Sequence, residues 1–336
     1  MLRIGMIGCG GIANHHAKRI KDVEDAQIVH CSDVSGDAAA QMAEEYGAAA
    51  HDTDYHALLD DKDVDAVYVC LPTFLHRDAV VAAAEAGKHI FCEKPIAMTS
   101  QHAQEMIDAC AKAKVTFMIG FVRRYDPHWG KVGELVKAGR VGRPAIWRHC
   151  SAGGGPARPW FLDREQGGGP LIDGAVHDYD FLRSMFGDAR RVFGSMKTFK
   201  SDSTALDSGT GVVQFQSGDE AMLCWSWGLP KGARGESLID VLGPDGAISF
   251  TAPADQFPEG ADPKTHGGVA IVGEDNGRTV EVYEKKDMFL EQARDFVDCV
   301  LNGKPPMATG EDGKKALEIG LGILKSSDTG EPVDVP

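Results

Sequence analysis

An apolar run, His89-Ile90-Phe91-Cys92, ends in Glu93-Lys94-Pro95. Short apolar runs of this kind read as buried strands. Proline fixes its own φ and restricts the residue before it, so Lys94 is held in place at the strand end. A fixed ammonium group there can donate to an oxygen that gains negative charge during a reaction. Taken alone, the stretch reads equally well as an exposed loop lysine. A second group with chemical potential lies in Gly167–Asp180, "GGGPLIDGAVHDYD". Asp173 and His177 are four residues apart, one turn of a helix, so their side chains can meet. A histidine beside a carboxylate is suited to general-base work near neutral pH. The competing readings are an aspartate that favours a helix N-terminus and a histidine that only packs. A metal reading would take Asp173, His177 and Asp180. It lacks a third strong nitrogen or sulfur ligand, so no metal is expected.

A third group is the glycine loop. "IGMIGCGGIA" places Gly8, Gly10 and Ala13 in the spacing G-x-G-x-x-[GA], between a strand pattern and a helix pattern. Gly8 suits a tight turn, Gly10 a close approach to a pyrophosphate, and Ala13 close packing of helix on sheet. Gly11 and Ile12 open the helix, whose first backbone N–H groups face the phosphates. Asp33 ends the second strand pattern, at the distance expected of an acid that binds a ribose diol. A carboxylate there repels a 2′-phosphate, and Val34-Ser35-Gly36-Asp37 offers no cation to offset it, so NAD is favoured over NADP. Pro72-Thr73 stands at the end of another apolar run. In open parallel sheets, ligands bind outside the carboxyl ends of the strands, where all these residues fall.

The elements that must position these groups alternate over the first part of the chain. Strands are expected at Leu2–Ile7, Ala26–Ser32, Ala66–Leu71, His89–Cys92 and Thr116–Phe121, with a shorter one near Ala48–His51. Helices are expected at Ile12–Lys21, Gly36–Tyr46, Tyr55–Leu59, His76–Ala86 and Ser100–Lys114. That alternation is the mark of a parallel sheet with crossover helices. After Phe121 the rhythm changes. A helix at Pro127–Ala138, a strand at Ala145–Cys150, a glycine- and proline-rich loop and a helix at Leu171–Phe186 come first. Several strands without helices then run from Arg191 to Tyr283, as in an antiparallel sheet. Helices near Asp287–Leu301 and Gly310–Ser326 close the chain. The expected class is α/β: a dinucleotide-binding domain over residues 1–121, and a substrate-binding and oligomerisation domain over residues 122–336 whose last helices pack back on the first.

Composition narrows the function classes. The chain has 336 residues, 43% of them hydrophobic and 25% charged, ordinary for a globular protein with more than one core. A net charge of −15 argues against nucleic acid as a partner. The apolar runs are too short to span a bilayer, and the first residues lack the long apolar core of a signal peptide, so no membrane partner and a cytoplasmic location are expected. The eight cysteines form no C-x-x-C pair and read as small buried hydrophobes.

"EKP" after a strand, "GFVRRYDP" at 120–127, "GGGPLIDGAVHDYD" at 167–180 and the closing "TGEDGKKALEIGLGILKSSDTGEPV" together resemble the glucose–fructose oxidoreductase/inositol dehydrogenase/MocA family, in its inositol-dehydrogenase-like branch. The likeness covers nearly the whole chain. It implies a Rossmann domain followed by an α/β domain with an open, mostly antiparallel sheet. It implies that Lys94 is catalytic, that Glu93 contacts the cofactor, and that Asp173 and His177 are an acid/base pair. Pro72, Thr73 and His76 match a cofactor-side loop often written T-P-N-x-x-H, with Thr73 where asparagine is usual. Arg123, Arg124 and Tyr125 match the segment at the mouth of the site, and Trp160 a lid. The implied reaction is NAD-dependent oxidation of a hydroxyl on a sugar or cyclic polyol, with Lys94 and His177 handling the proton. Which of the two is the formal base is left open. The alternatives are a glycoside hydrolase that uses NAD for transient oxidation and a non-catalytic NAD-binding regulator. The family also implies a homodimer or homotetramer.

Overall fold

A computed structural model describes all 336 residues. They form two compact units, Met1–Val122 with Asp287–Lys314, and Arg123–Lys286 with Lys315–Pro336. No helix is long and apolar enough to cross a membrane.

The first unit alternates strand and helix: β1 (Leu2–Ile7), α1 (Gly11–Ile20), β2 (Ala26–Ser32), α2 (Gly36–Tyr46), β3 (Ala50–Asp52), α3 (Tyr55–Asp60), β4 (Ala66–Val69), α4 (His76–Glu85), β5 (His89–Cys92), α5 (Ser100–Ala113) and β6 (Phe117–Ile119). The strands make one six-stranded sheet in the order β3-β2-β1-β4-β5-β6, with every pair parallel. The order reverses at β1, which puts the topological switch point between β1 and β4. Ile4, Met6, Val67, Tyr68, Ile90 and Phe91 are fully buried, as strands covered on both faces require. Side-chain caps start α2 (Ser35), α3 (Asp54) and α5 (Thr99), and Asp126 does the same for the first helix of the second unit. α4 has no side-chain cap, and neither does α1, whose N-cap is Gly10 and whose first turn carries no acid.

The second unit opens with α6 (Pro127–Lys137), β7 (Ile146–Ala152) and α7 (Val176–Phe186). Then come β8 (Ala189–Lys197), β9 (Ser208–Phe215), β10 (Glu220–Ser226), β11 (Leu238–Gly243), β12 (Gly246–Ser249), β13 (His266–Val272), β14 (Arg278–Glu284) and β15 (Val333–Asp334). They form a nine-stranded sheet, β14-β13-β12-β11-β7-β10-β9-β8-β15, antiparallel except for the β7/β10 pair. The inner face carries Trp147, Ala221, Leu223, Val213 and Val241, all fully buried. Phe193, Met222, Ile146 and Leu238 are about two-fifths exposed. Register puts Phe193, Val212, Met222 and Arg148 in one cross-strand row, and two-residue alternation places Ile146 and Leu238 on that same outer face.

Two expectations are corrected here. The continuous helix expected over Leu171–Phe186 starts as a π-helical turn, Pro170–Gly174, before α7 begins at Val176. The Ala175 N–H donates to the Pro170 carbonyl, five residues back. The cysteines are not all buried hydrophobes: Cys224 is exposed on the outer face of the second sheet, opposite half-buried Cys150.

Candidate active site

In the first unit, the candidate residues gather at the carboxyl ends of β1, β2, β4 and β5. Gly8 has φ +89°, and a Cβ there would lie 2.6 Å from the Cys70 carbonyl oxygen, so no other residue fits without moving β4. The Cys9 N–H donates to Asp33 Oδ2 and the Ser35 N–H to Asp33 Oδ1, each at 2.8 Å. Asp33 thus ties the glycine loop to the end of β2 while its carboxylate stays half-buried. The sequence reading did not single out Asn14, whose side-chain amide donates to the Cys9 and Gly10 carbonyls at 3.1 and 3.0 Å and braces the loop from inside α1. At the end of β4, Thr73 is buried beside Pro72. His76 is also buried, its ring nitrogens 2.8 and 2.9 Å from the Leu71 and Pro95 carbonyl oxygens.

The Lys94–Pro95 bond is cis. Glu93 beside it is 7% exposed. Its carboxylate receives His16 Nε2 at 2.6 Å and the Lys94 N–H at 3.1 Å. Burial pushes the Glu93 carboxyl up, but the hydrogen bond from His16 and the Lys94 charge outweigh it and hold the group below its ordinary range. His16 was not among the residues expected from the sequence. The signal available was its place in the buried stripe Ala13, His16, Ala17, Ile20, where an apolar residue is the norm.

These features fit a dinucleotide. The Gly10 helix start offers uncapped N–H groups to phosphates, with no acid to repel them. The Asp33 carboxylate keeps lone pairs beyond the two amides it serves. Gly8, Gly10, Gly11, Ile12 and Asp33 would hold NAD, which supplies a hydride acceptor when bound.

The second unit carries the other candidates. Asp173 sits in the π turn, 5% exposed, and half-buried His177 is in the first turn of α7. Gly169, the N-cap of this turn, has φ +82°, and a Cβ there would lie 2.7 Å from the Leu206 carbonyl oxygen. Trp160 stacks on Phe161, ring centroids 3.7 Å apart. Arg124 donates to both oxygens of fully buried Asp180 at 2.8 and 2.6 Å, and Tyr125 lies half-buried beside it. Arg123 bonds Asp126 at 2.7 Å and lies over the Trp129 ring. Asp180 is therefore committed to Arg124, and no three acidic, histidine or cysteine side chains converge as a metal site. One pair was not foreseen: His149 on β7 bonds buried Asp178 at 2.8 Å, its ring against Trp225.

Residues 2–121 match the family model described as an oxidoreductase family with an NAD-binding Rossmann fold, and residues 129–249 match the C-terminal domain model of the same family. The myo-inositol 2-dehydrogenase of Thermotoga maritima is 34% identical, over 97% of this chain and 96% of that protein. The scyllo-inositol 2-dehydrogenase (NAD(+)) of Bacillus subtilis is 28% identical, over 99% of this chain and 96% of that one. A levoglucosan dehydrogenase solved with NADH and levoglucosan shares the fold, with a TM-score of 0.84 at 22% identity, over 100% of this chain and 99% of that one. With both domain models matched and a relative 34% identical along 97% of its length, the chain belongs to the Gfo/Idh/MocA family of NAD-binding oxidoreductases, in its inositol-dehydrogenase-like branch.

Proposed function

We propose that the protein is an NAD-dependent dehydrogenase that oxidises a hydroxyl of a cyclic polyol or sugar, with an inositol-like ring as the leading substrate class. The observation that carries this reading is the 34% identity to a myo-inositol 2-dehydrogenase along 97% of the chain, beside the presence in this sequence of Lys94, Asp173 and His177, three residues competent for the chemistry. Lys94 donates a hydrogen bond to the reacting oxygen and stabilises it as it becomes an alkoxide. His177 accepts the hydroxyl proton, and Asp173 orients the imidazole and stabilises its charged form. Arg124, Tyr125 and Trp160 frame the ring of the substrate. Arg124 is itself held in place by its pair with buried Asp180. NAD, when bound, would supply the hydride acceptor, so that loss of a hydride from the carbon and a proton from the hydroxyl would turn the alcohol into a ketone.

The outer face of the nine-stranded sheet favours a homo-oligomer. An exposed row containing Phe193, Val212 and Met222, with Ile146 and Leu238 on the same face, is the kind of apolar surface that a second copy covers.

The test is NADH absorbance with purified protein, NAD or NADP, and a panel of inositols, aldoses, anhydrosugars and sugar acids. NADH formation with NAD and a cyclic polyol supports the reading. Cleavage of aryl glycosides without net NADH would replace it with the NAD-dependent hydrolase.

A further inference from the structure

The Lys94 turn is held by two buried histidines of the first unit, neither of which the proposed chemistry uses. His16 is 1% exposed, and its ring is packed by Phe91, Tyr68 and Phe289 at centroid distances of 5.0, 5.5 and 5.4 Å. That packing fixes the direction in which Nε2 points, onto Glu93 Oε1 at 2.6 Å. Glu93 has little room to turn: a Cβ on Gly120 would lie 3.0 Å from Oε1, so that glycine closes one side of the carboxylate. With Oε1 fixed by His16, Oε2 accepts the Lys94 N–H at 3.1 Å. Beyond Lys94, the Pro95 carbonyl oxygen lies 2.9 Å from Nδ1 of the His76 ring, which is 1% exposed and has its other nitrogen 2.8 Å from the Leu71 carbonyl oxygen. The backbone is therefore gripped just before and just after the lysine, each time through a side chain anchored on another element.

We infer that His16 is a positioning residue for Lys94, acting through Glu93, with His76 closing the same turn from the other side. This rests on the proposal that Lys94 meets the reacting oxygen. The physical reason is geometric. A donor displaced by about 1 Å costs on the order of a hundredfold in rate. A buried carboxylate with one oxygen left unbonded must turn or draw in water, and either change moves the Lys94 N–H it supports. Glu93 is thus read as a residue that sets the lysine.

The test compares His16→Phe, which keeps the ring and removes the donor, with His16→Gln, which keeps an N–H donor. Two quantities are read: steady-state kinetics, and the rate at which an amine-acylating reagent labels Lys94 in the NAD-free protein, measured by peptide mass spectrometry. We expect His16→Phe to lower kcat by about 10- to 100-fold with KM for NAD within about threefold of wild type. We expect its Lys94 labelling rate to change as well, and His16→Gln to restore most of both. Equal behaviour of the two variants, or wild-type kcat in His16→Phe, overturns the inference. If His16→Phe does not fold, Glu93→Ala reads the same property, since it removes both acceptors at once; wild-type kcat there is equally fatal. Lys94→Ala separates the two levels. Near-normal turnover in it removes the proposed chemistry itself, whereas an inactive Lys94→Ala beside a fully active His16→Phe removes only the positioning role.

Discussion

Replacement of Asp33 tests the cofactor preference at its source. The carboxylate has about four acceptor positions. Two are spent on the Cys9 and Ser35 amides, each at 2.8 Å, and the rest are left for a ribose diol. A hydrogen bond to a charged acceptor contributes about 1.5–3 kcal/mol, so Asp33→Ala should raise the Kd for NAD about 10- to 150-fold. The same charge opposes a 2′-phosphate by about 4 kcal/mol per unit charge at 4 Å in an effective dielectric of 20. Its removal should therefore strengthen NADP binding while NAD weakens, and the preference should narrow by roughly two powers of ten or more. Alanine also frees the glycine loop from β2, so Asp33→Asn is the sharper variant. It keeps one oxygen for the Cys9 amide and loses the negative charge, so NADP should gain as much while NAD loses less. Titration calorimetry with both dinucleotides, beside a thermal melt to show that each variant is folded, decides the matter. A NAD/NADP affinity ratio within about threefold of wild type in both folded variants would refute the reasoning.

Three further outcomes are expected. Arg124→Ala takes a two-bonded cation from fully buried Asp180, and loss of such a partner costs about 3–5 kcal/mol. Urea unfolding should show this, and a loss under about 1 kcal/mol would contradict it. Asp188 is held below its ordinary carboxyl range by Lys315 first and Arg183 second. A depressed carboxyl stabilises the fold above its unfolded value of about 3.9, and that contribution is lost as pH falls through the folded value. The difference in melting temperature between wild type and Asp188→Asn should thus be present at neutral pH and vanish in acid; a difference that persists in strong acid rejects the assignment. Met222→Glu and Phe193→Glu place charges on the exposed face of the second sheet and should lower the mass measured by light scattering. A wild-type protein that is already monomeric, or variants of unchanged mass, count against that face as the contact.

The sequence made the first unit legible because its signals are local. The Gly8 turn, the Asp33 position and the strand that leads into Glu93-Lys94 each follow from residue type and spacing, and β2, α2 and β5 lie where the pattern puts them. What stayed hidden depends on contacts across long stretches of chain. His16 and Glu93 are 77 residues apart, and nothing in either segment says that they bond. The π turn at Pro170–Gly174 left no mark either, since one extra residue in a helical turn barely changes the spacing of a short apolar stripe. The parallel β7/β10 pair lies within an otherwise antiparallel sheet, and hydrophobic alternation is the same for both senses of pairing. Arg124 shows a different limit. The resemblance put it at the mouth of the site, but its pair with Asp180, 56 residues on, could not be read from either segment.

The most direct test of the central claim is single-turnover NADH formation in Lys94→Ala against wild type, with the Kd for NAD measured on the same samples. The account predicts a rate at least about 100-fold lower, as for loss of a donor to a developing oxyanion, with NAD affinity within about threefold. Turnover close to wild type at unchanged NAD affinity would contradict it.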